Sequence, residues 1–326
     1  MSLDSDVIVD RRRIRRKLTF WRVVAALVAI AAIVTVGVIV TPGGRGAFTA
    51  SGSIARIQID GLIRSDNDRV EALERLEKSR AAAVIVHINS PGGTTAGSEQ
   101  LYDALVRLKA KKPVVVVVEG LAASGGYIAA IAADHIIAQQ SSLVGSIGVL
   151  FQFPNFTELL KTVGVKVEEV KSSPLKAAPN GFEPTSPEAR AALDALVKDS
   201  YAWFSDLVKA RRGMDDALLE QVADGRVFTG RQAVDLKLID QLGDEKTAIA
   251  WLVAQKNIKS DLPVRDFKLS PRFGDLTFLR TAASITLDAV GLGAIARQVE
   301  QGGVAQAVDR LGLDGMLALW SPAGAN

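Results

Sequence analysis

The pattern of apolar and polar positions changes character along the chain. Val23–Val40 is an apolar run of 18 residues, interrupted only by Thr35 and Gly37. As a helix it would rise about 27 Å, close to the thickness of a bilayer's hydrocarbon core. From Ser53 onward the pattern alternates between strand-like and helix-like periods. Ile54–Ile59 predicts a strand and Asp68–Ser79 an amphipathic helix. Val84–Ile88 is apolar throughout, as in a strand buried on both faces, and it ends in Asn89-Ser-Pro-Gly-Gly93. A helix is expected from about Ala96 to Lys109. Pro113 then opens a second buried strand, Val114–Val118, and Ser124–Ala133 follows as a helix of small residues.

Further on, Ile136–Ala138 predicts a short strand, Glu158–Val163 a helix and Val165–Val170 a strand. Pro174, Pro179, Pro184 and Pro187 make 172–187 an irregular loop. The capping-box pattern Thr185-Ser-Pro-Glu188 starts a long helix that runs to about Arg212. The alternation predicts an α/β domain over 53–256. Beyond it, 257–326 is a C-terminal extension in which Leu279–Ala296 and Val304–Trp320 are amphipathic, with glycines at 291, 293, 302 and 303. Packing on the domain, oligomer contacts and contact with a bilayer are all compatible with that pattern.

Charge changes the picture at the front of the chain. The 326 residues carry a formal +3, from 39 Lys+Arg and 36 Asp+Glu. Residues 1–22 hold seven of the basic groups and three of the acidic ones, so the surplus lies there and the rest of the chain is near neutral. A neutral body argues against nucleic acid as a partner. A basic segment before a long apolar run reads instead as an uncleaved signal anchor, with 1–22 as cytoplasmic tail, 23–40 as transmembrane helix and 41–52 as a Gly/Ser/Thr-rich linker. The domain is then expected outside the cytoplasm, and membrane lipid is an expected partner.

The composition also narrows the chemistry. With no Cys, a disulfide framework, a thiolate metal site and a cysteine nucleophile are all excluded. His87 and His135 are the only histidines, so a multi-histidine metal centre is not expected, nor is any cofactor. The strongest local feature is Glu119-Gly-Leu-Ala-Ala-Ser124-Gly-Gly126, directly after a buried strand. Strand, sharp turn and a helix opening at a serine form a nucleophile elbow, and a helix N-terminus favours developing negative charge. A serine N-cap beside a Gly-rich packing contact would leave the same trace. Asn89-Ser-Pro-Gly-Gly93 repeats the logic one strand earlier. The Gly93 and Gly125 N–H groups could form an oxyanion hole, although a plain strand–helix turn reads the same way.

For a base, His87 sits within a strand and His135 at a helix–strand junction, where Asp103 or Asp134 could complete a triad. Lysine is the other candidate, because desolvation favours its neutral amine. Lys176 stands among Pro, Leu and Ala, although a solvated loop lysine fits the same residues. A lysine base predicts a rate that rises towards alkaline pH. Ser173-Pro-Leu-Lys176 also matches a Ser-x-x-Lys pattern, but that motif needs a helix, which Pro174 and Pro179 oppose, and no Lys-Thr-Gly accompanies it.

Five motifs occur in order: Asn89-Ser-Pro-Gly-Gly93, Ala122-Ala-Ser-Gly-Gly-Tyr127, Leu143-Val-Gly-Ser-Ile-Gly-Val149, Lys171–Lys176 and Asp224-Gly-Arg-Val-Phe-Thr-Gly230. With them the chain resembles the signal peptide peptidase A family, membrane-anchored Ser–Lys peptidases related in fold to Clp protease and crotonase. The resemblance implies a Clp protease/crotonase-like repeated strand–helix domain. It makes Ser124 the nucleophile, Lys176 the general base, Ser146 the serine that orients the lysine amine, and Gly93 the oxyanion-hole glycine, to which the Gly125 N–H is added on structural grounds. It also implies peptide substrates, in particular cleaved signal peptides, and location at the bacterial cytoplasmic membrane. Ring-like homo-oligomers are implied too, in which Ser and Lys can come from adjacent subunits. The family usually has an acidic residue after the base, where this chain has Ala177. A crotonase-like acyl-thioester enzyme and a non-catalytic oligomeric membrane scaffold are the alternatives. The first needs CoA, a cytosolic cofactor, and the second would leave Ser124 unreactive.

Overall fold

The computed structural model describes residues 52–269 and 317–319. The basic tail, the apolar run at 23–40 and the amphipathic stretch at 279–296 lie outside the described residues. Among the described residues, no helix is long and apolar enough to cross a membrane.

The order of elements is β1 (Ser53–Ile63), α1 (Asn67–Glu77), β2 (Ala81–Thr94), α2 (Thr95–Lys109), β3 (Val114–Ala123), α3 (Gly125–Ala130), β4 (His135–Ala138), β5 (Leu143–Gly145), α4 (Thr157–Thr162), α5 (Pro187–Arg212), α6 (Asp216–Val222), β6 (Val227–Thr229), α7 (Gly230–Asp235), β7 (Gln241–Leu242), α8 (Glu245–Lys256), β8 (Val264–Asp266) and β9 (Leu317–Leu319). One sheet runs β6-β5-β3-β2-β1-β8, with β4 on β3, β7 on β4 and β9 on β2. The β1–β2, β2–β3, β3–β4, β3–β5 and β1–β8 pairs are parallel, as strand–helix–strand crossovers require. The β5–β6 and β2–β9 pairs are antiparallel. The sheet thus continues past residue 256 to take in β8.

The apolar runs of β2 and β3 are buried on both faces, and the period of two sorts them. Val84, Val86, Ile88, Val114, Val116 and Val118 join one core with helices α1, α2, α3 and α5. Ala83, Ile85, Val115 and Val117 join a second, smaller core against Ala248 and Leu252 of α8. Each fully buried valine contributes on the order of 1.5–3 kcal/mol, so a run of five is a large share of a domain's net stability.

The helix ends follow local chemistry. Asp66 caps α1 through the Arg69 N–H, and Thr94 caps α2 through the Gly97 N–H. The long helix starts one residue later than the capping-box reading placed it. Ser186 is the N-cap, accepting from the Ala189 N–H, and Pro187 fits the first turn, where its missing N–H costs nothing.

Two expectations are corrected, and one stretch gains an assignment. The run Val165–Val170 is not a strand: Val165, Val167 and Val170 are exposed, and no sheet edge within the described residues takes them. The small-residue helix is Gly125–Ala130, shorter than Ser124–Ala133 at both ends, with Ser124 not helical and Ile131 as the C-cap. Within Val304–Trp320, residues 317–319 pair as a strand on β2.

Tyr127 shows how the core holds α3 in place. Its ring is fully buried and its hydroxyl donates to the Leu238 carbonyl at 2.8 Å, a bond spanning 111 residues of sequence. Burial pushes the phenol well above its ordinary pKa, so it stays a donor at every working pH. Tyr127→Phe leaves that carbonyl without its hydroxyl donor. The expected cost is about 1–2 kcal/mol, read as a lower urea midpoint with an unchanged slope.

Candidate active site

Past Ile88, β2 does not stop. Its polar end continues through the glycines because β1 stays alongside, with Leu62 opposite Gly92 and Ile63 opposite Gly93. The Ser90 hydroxyl donates to the Gly61 carbonyl at 2.7 Å and accepts from the Gly92 N–H at 3.1 Å, which fixes the turn. Gly92 has φ 103°, a conformation that suits glycine. At Gly93 the approach to β1 is so close that a Cβ would sit 1.7 Å from the Ile63 carbonyl oxygen.

On the neighbouring strand, β3 pairs with β2 only as far as Ala122 opposite Ser90. Its other edge holds β4 and then β5, which ends with Gly145 opposite Ala123. Ser124 comes next, with its N–H bonded to the Gly145 carbonyl at 2.7 Å. Its backbone stands at φ 54° and ψ −117°, a strained turn for a residue with a Cβ. The Ser124 carbonyl accepts from Tyr127 and Ile128, so the helix begins at once. Gly126 lets this elbow rest on β2, where a Cβ would meet the Ser90 carbonyl at 2.7 Å. The outcome is a serine at 1% exposure whose Oγ has no hydrogen-bond partner among the described residues. Such a hydroxyl costs stability, which is the expected signature of a group held for chemistry rather than for packing.

The structure brings four of the five motifs together at this end of the sheet. Beside the two glycine turns lie β5 and β6, with Gly145 opposite Val227. Ser146 is 7% exposed at φ 51°, and its N–H bonds to the Arg226 carbonyl at 2.8 Å. The remaining motif, Lys171–Lys176, lies on the loop ahead of α5. Lys176 is exposed on its loop among the described residues. Lys171 is the paired lysine there: hydrogen bonds to Glu169 and Glu183 raise its pKa, with the ammonium 2.6 and 2.5 Å from their carboxylates. A cavity of about 460 Å³ in this segment is lined by Val167, Glu169, Lys171, Phe182 and Glu183, and includes neither Ser124 nor Lys176. The stretch 150–182, in which Lys176 lies, exposes Leu150, Phe151, Phe156, Leu159, Leu175 and Phe182, apolar side chains of the kind that a partner covers.

Both histidines are engaged elsewhere. His87 faces the α8 side, with Nδ1 2.7 Å from Glu119 and Nε2 2.7 Å from Glu245, which in turn pairs with Arg56. His135 stacks on Trp251 with ring centroids 4.6 Å apart, and its Nε2 lies 3.3 Å from the Gln241 side-chain oxygen. Asp134 is taken up by the Val114 N–H and by Lys256. A histidine triad therefore has no members at Ser124. Among the described residues, no group of three or more His, Asp or Glu could hold a metal ion.

Sequence reasoning missed two supporting serines. Ser90 holds the glycine turn, and the buried Ser142 places its hydroxyl 3.0 Å from the Val118 carbonyl and 2.8 Å from that of Glu119, where β3 leaves its straight course. Ser90 stood inside a quoted motif. Ser142 had no signal beyond its place ahead of Leu143.

The family model of Peptidase family S49 matches residues 106–259, and that of Clp protease matches residues 57–142. A Synechocystis protein whose name calls it a protease is 37% identical over 210 residues, covering 64% of this chain and 76% of that protein. This chain belongs to peptidase family S49. Its mixed α/β sheet has the Clp protease-like fold that the second match describes. Two further relatives are matched over a smaller share of their own length. Protease 4 of Haemophilus influenzae is 30% identical over 65% of this chain and 35% of its own length. Serine protease SPPA, chloroplastic, of Arabidopsis thaliana is 31% identical over 68% of this chain and 34% of its own. The chain thus spans about a third of those two proteins.

Proposed function

We propose that this S49 chain is a membrane-anchored serine endopeptidase that degrades signal peptides or similar apolar peptides outside the cytoplasm, with Ser124 as nucleophile and Lys176 as general base. The observation that carries the reading is the buried, unpartnered Ser124 Oγ on a strained elbow at a helix N-terminus, beside the glycine turn at Gly93. In the proposed reaction, Ser124 attacks the peptide carbonyl while the Lys176 amine takes its proton. The N–H groups of Gly93 and Gly125 receive the oxyanion, the amine returns the proton to the leaving nitrogen, and water then releases the acyl group by the same route. Ser146 orients the amine.

Lys176 is exposed and lies in a stretch, 150–182, that carries several exposed apolar residues, which supports its delivery to the Ser124 of a neighbouring copy in a ring-like homo-oligomer. Docking would desolvate the amine as catalysis requires. The basic tail and the apolar run support a single-pass anchor in the cytoplasmic membrane, with a domain that begins at Ser53 on the outer side.

The test uses a fluorogenic signal-peptide substrate and a serine-directed probe. Lys176→Ala is expected to lower kcat by about 10²–10⁴-fold, and mass spectrometry to find the probe on Ser124 of the unaltered protein. Mixing the Lys176→Ala chain with a Ser124→Ala chain restores hydrolysis when the amine comes from a neighbour. Undiminished turnover in Lys176→Ala would remove the lysine from the mechanism.

A further inference from the structure

His87 is a buried titratable group with no part in the proposed reaction. It lies on β2 at 7% exposure, flanked in the sheet by Gln58 of β1 and Val117 of β3. Carboxylates from two other elements face its ring. Nδ1 is 2.7 Å from Glu119 Oε1 on β3, and Nε2 is 2.7 Å from Glu245 Oε2 at the start of α8. Behind Glu245 stands Arg56 of β1, with Nε 2.8 Å from the same Oε2, and Asp266 of β8 pairs with Arg56 at 3.0 Å. A carboxylate only accepts hydrogen bonds, and a neutral imidazole has one N–H and one lone pair. Both contacts at once therefore require a ring that carries both protons.

Glu119 sits where β3 changes course. Val118 lies opposite Ile88 and Ala122 opposite Ser90, so β3 uses four residues where β2 uses two. The extra length, Glu119–Leu121, is a bulge that leads through Ala122 and Ala123 into the Ser124 elbow. Two contacts hold its foot. The Ser142 hydroxyl lies 2.8 Å from the Glu119 carbonyl, and His87 holds the Glu119 carboxylate. The first is indifferent to pH, whereas the second needs the ring's second proton. Once that proton leaves, one carboxylate faces a lone pair. Glu245 keeps Arg56, and its side chain is 26% exposed. The Glu119 side chain is 48% exposed and has no other ion-pair partner among the described residues, so Glu119 is the one let go.

We propose that doubly protonated His87 is a positioning residue for Ser124: it clamps the foot of the β3 bulge to α8, and the clamp opens at Glu119 when the ring loses a proton. The effect on rate rests on the peptidase reading, but the clamp itself is a property of the fold. Its direction is fixed by the proton count. The clamp is closed at the acidic end and opens as pH rises, against the alkaline rise expected of a lysine base. Glu119→Gln separates the two effects. An amide accepts from the imidazolium through its oxygen and donates to the neutral ring through its nitrogen, so this variant keeps the clamp closed in both states. Dividing the unaltered chain by Glu119→Gln at each pH therefore cancels the lysine and leaves the clamp.

The experiment uses the full chain in detergent from about pH 5 to about pH 9, the range in which histidines titrate. The chain has two histidines, so ring-labelled protein gives two carbon signals, and His87→Gln identifies the one to follow. Hydrogen exchange of the peptide spanning 119–127 reads the elbow without any need for turnover. Its rate in the unaltered chain, relative to Glu119→Gln, is expected to rise about tenfold with increasing pH, as the loss of a hydrogen bond to a charged group implies. The midpoint is expected to coincide with that of the His87 signal. The ratio of kcat values is expected to fall about tenfold through the same midpoint with KM unchanged. A flat exchange ratio, or a His87 ring that is singly protonated from the acidic end onward, overturns the clamp. Peptide hydrolysis with a flat kcat ratio overturns the positioning role and leaves the peptidase reading standing. An exchange ratio that follows His87 in protein without any hydrolysis supports the clamp and removes the peptidase reading.

Discussion

Replacing Ser124 by Ala is expected to reduce kcat/KM for peptide hydrolysis by about 10⁴-fold or more while the protein stays folded. The two halves of that expectation have separate causes. Activity is lost because the hydroxyl is the proposed attacking group, and what remains is the contribution of binding and of the oxyanion donors. Stability is retained because the buried Oγ has no hydrogen-bond partner among the described residues, so its removal relieves an unsatisfied polar atom instead of breaking a contact. The backbone adds a second, independent readout. At φ 54° and ψ −117° a Cβ is strained by on the order of 1–3 kcal/mol, a strain that Ala keeps and Gly relieves. Glycine's extra freedom in the unfolded chain offsets part of this, leaving about 1 kcal/mol in favour of Ser124→Gly. The Gly variant is expected to melt about 2–4 °C above the Ala variant, and both to be inactive. A Ser124→Ala protein with unaltered turnover would exclude the serine. Equal melting points would mean that the elbow relaxes when the hydroxyl is gone.

How much of this was legible beforehand differs from element to element. The valines of β2 and β3 announce buried parallel strands, because an unbroken apolar run of that length has few other places to go. Neighbouring parallel strands bring their following turns side by side, so the approach of the Asn89–Gly93 turn to the Ser124 elbow, seen at Ser90 and Gly126, could be read from sequence. The continuation of β2 through Asn89-Ser-Pro-Gly-Gly93 could not. Its residues are turn formers, and they stay extended because Ser90 reaches Gly61 and β1 supplies partners from 29 residues away. The short strands β5, β6 and β7 are of two or three residues, too few to show a period, and exist only through their pairing. Val165–Val170 shows the opposite failure: the local pattern favours a strand, but no edge within the described residues receives it. Lys176 lies in the same segment. Its isolation among apolar residues was visible, but exposure or burial of that loop depends on what covers it. The tertiary partners of β9, which reach back across more than 220 residues, left no trace in the local pattern at all.

The Gly93→Ala variant should be the most destabilised single substitution at this site. A Cβ at this position would lie 1.7 Å from the Ile63 carbonyl oxygen, 2.5 Å from its carbon and 2.6 Å from the Ile63 nitrogen. All three are backbone atoms of a paired strand, so no rotamer change can make room, and β1 or the turn has to move bodily. Ordinary overpacking costs about 1–3 kcal/mol; a clash with a fixed strand exceeds that range, and the expected loss is above about 3 kcal/mol. The measurement is a urea titration, with Gly120→Ala as the control. A Cβ there meets only the Asn89 side-chain oxygen, at 3.1 Å, and that side chain can give way. Function separates the two as well. Any folded fraction of Gly93→Ala has its β1–β2 register displaced at one of the two N–H groups assigned to the oxyanion, so kcat falls by about 10²–10³-fold in protein that remains soluble, whereas Gly120→Ala keeps its kcat. Gly93→Ala with the stability of the unaltered chain would mean that β1 and β2 do not approach as closely as the Ile63 contact requires.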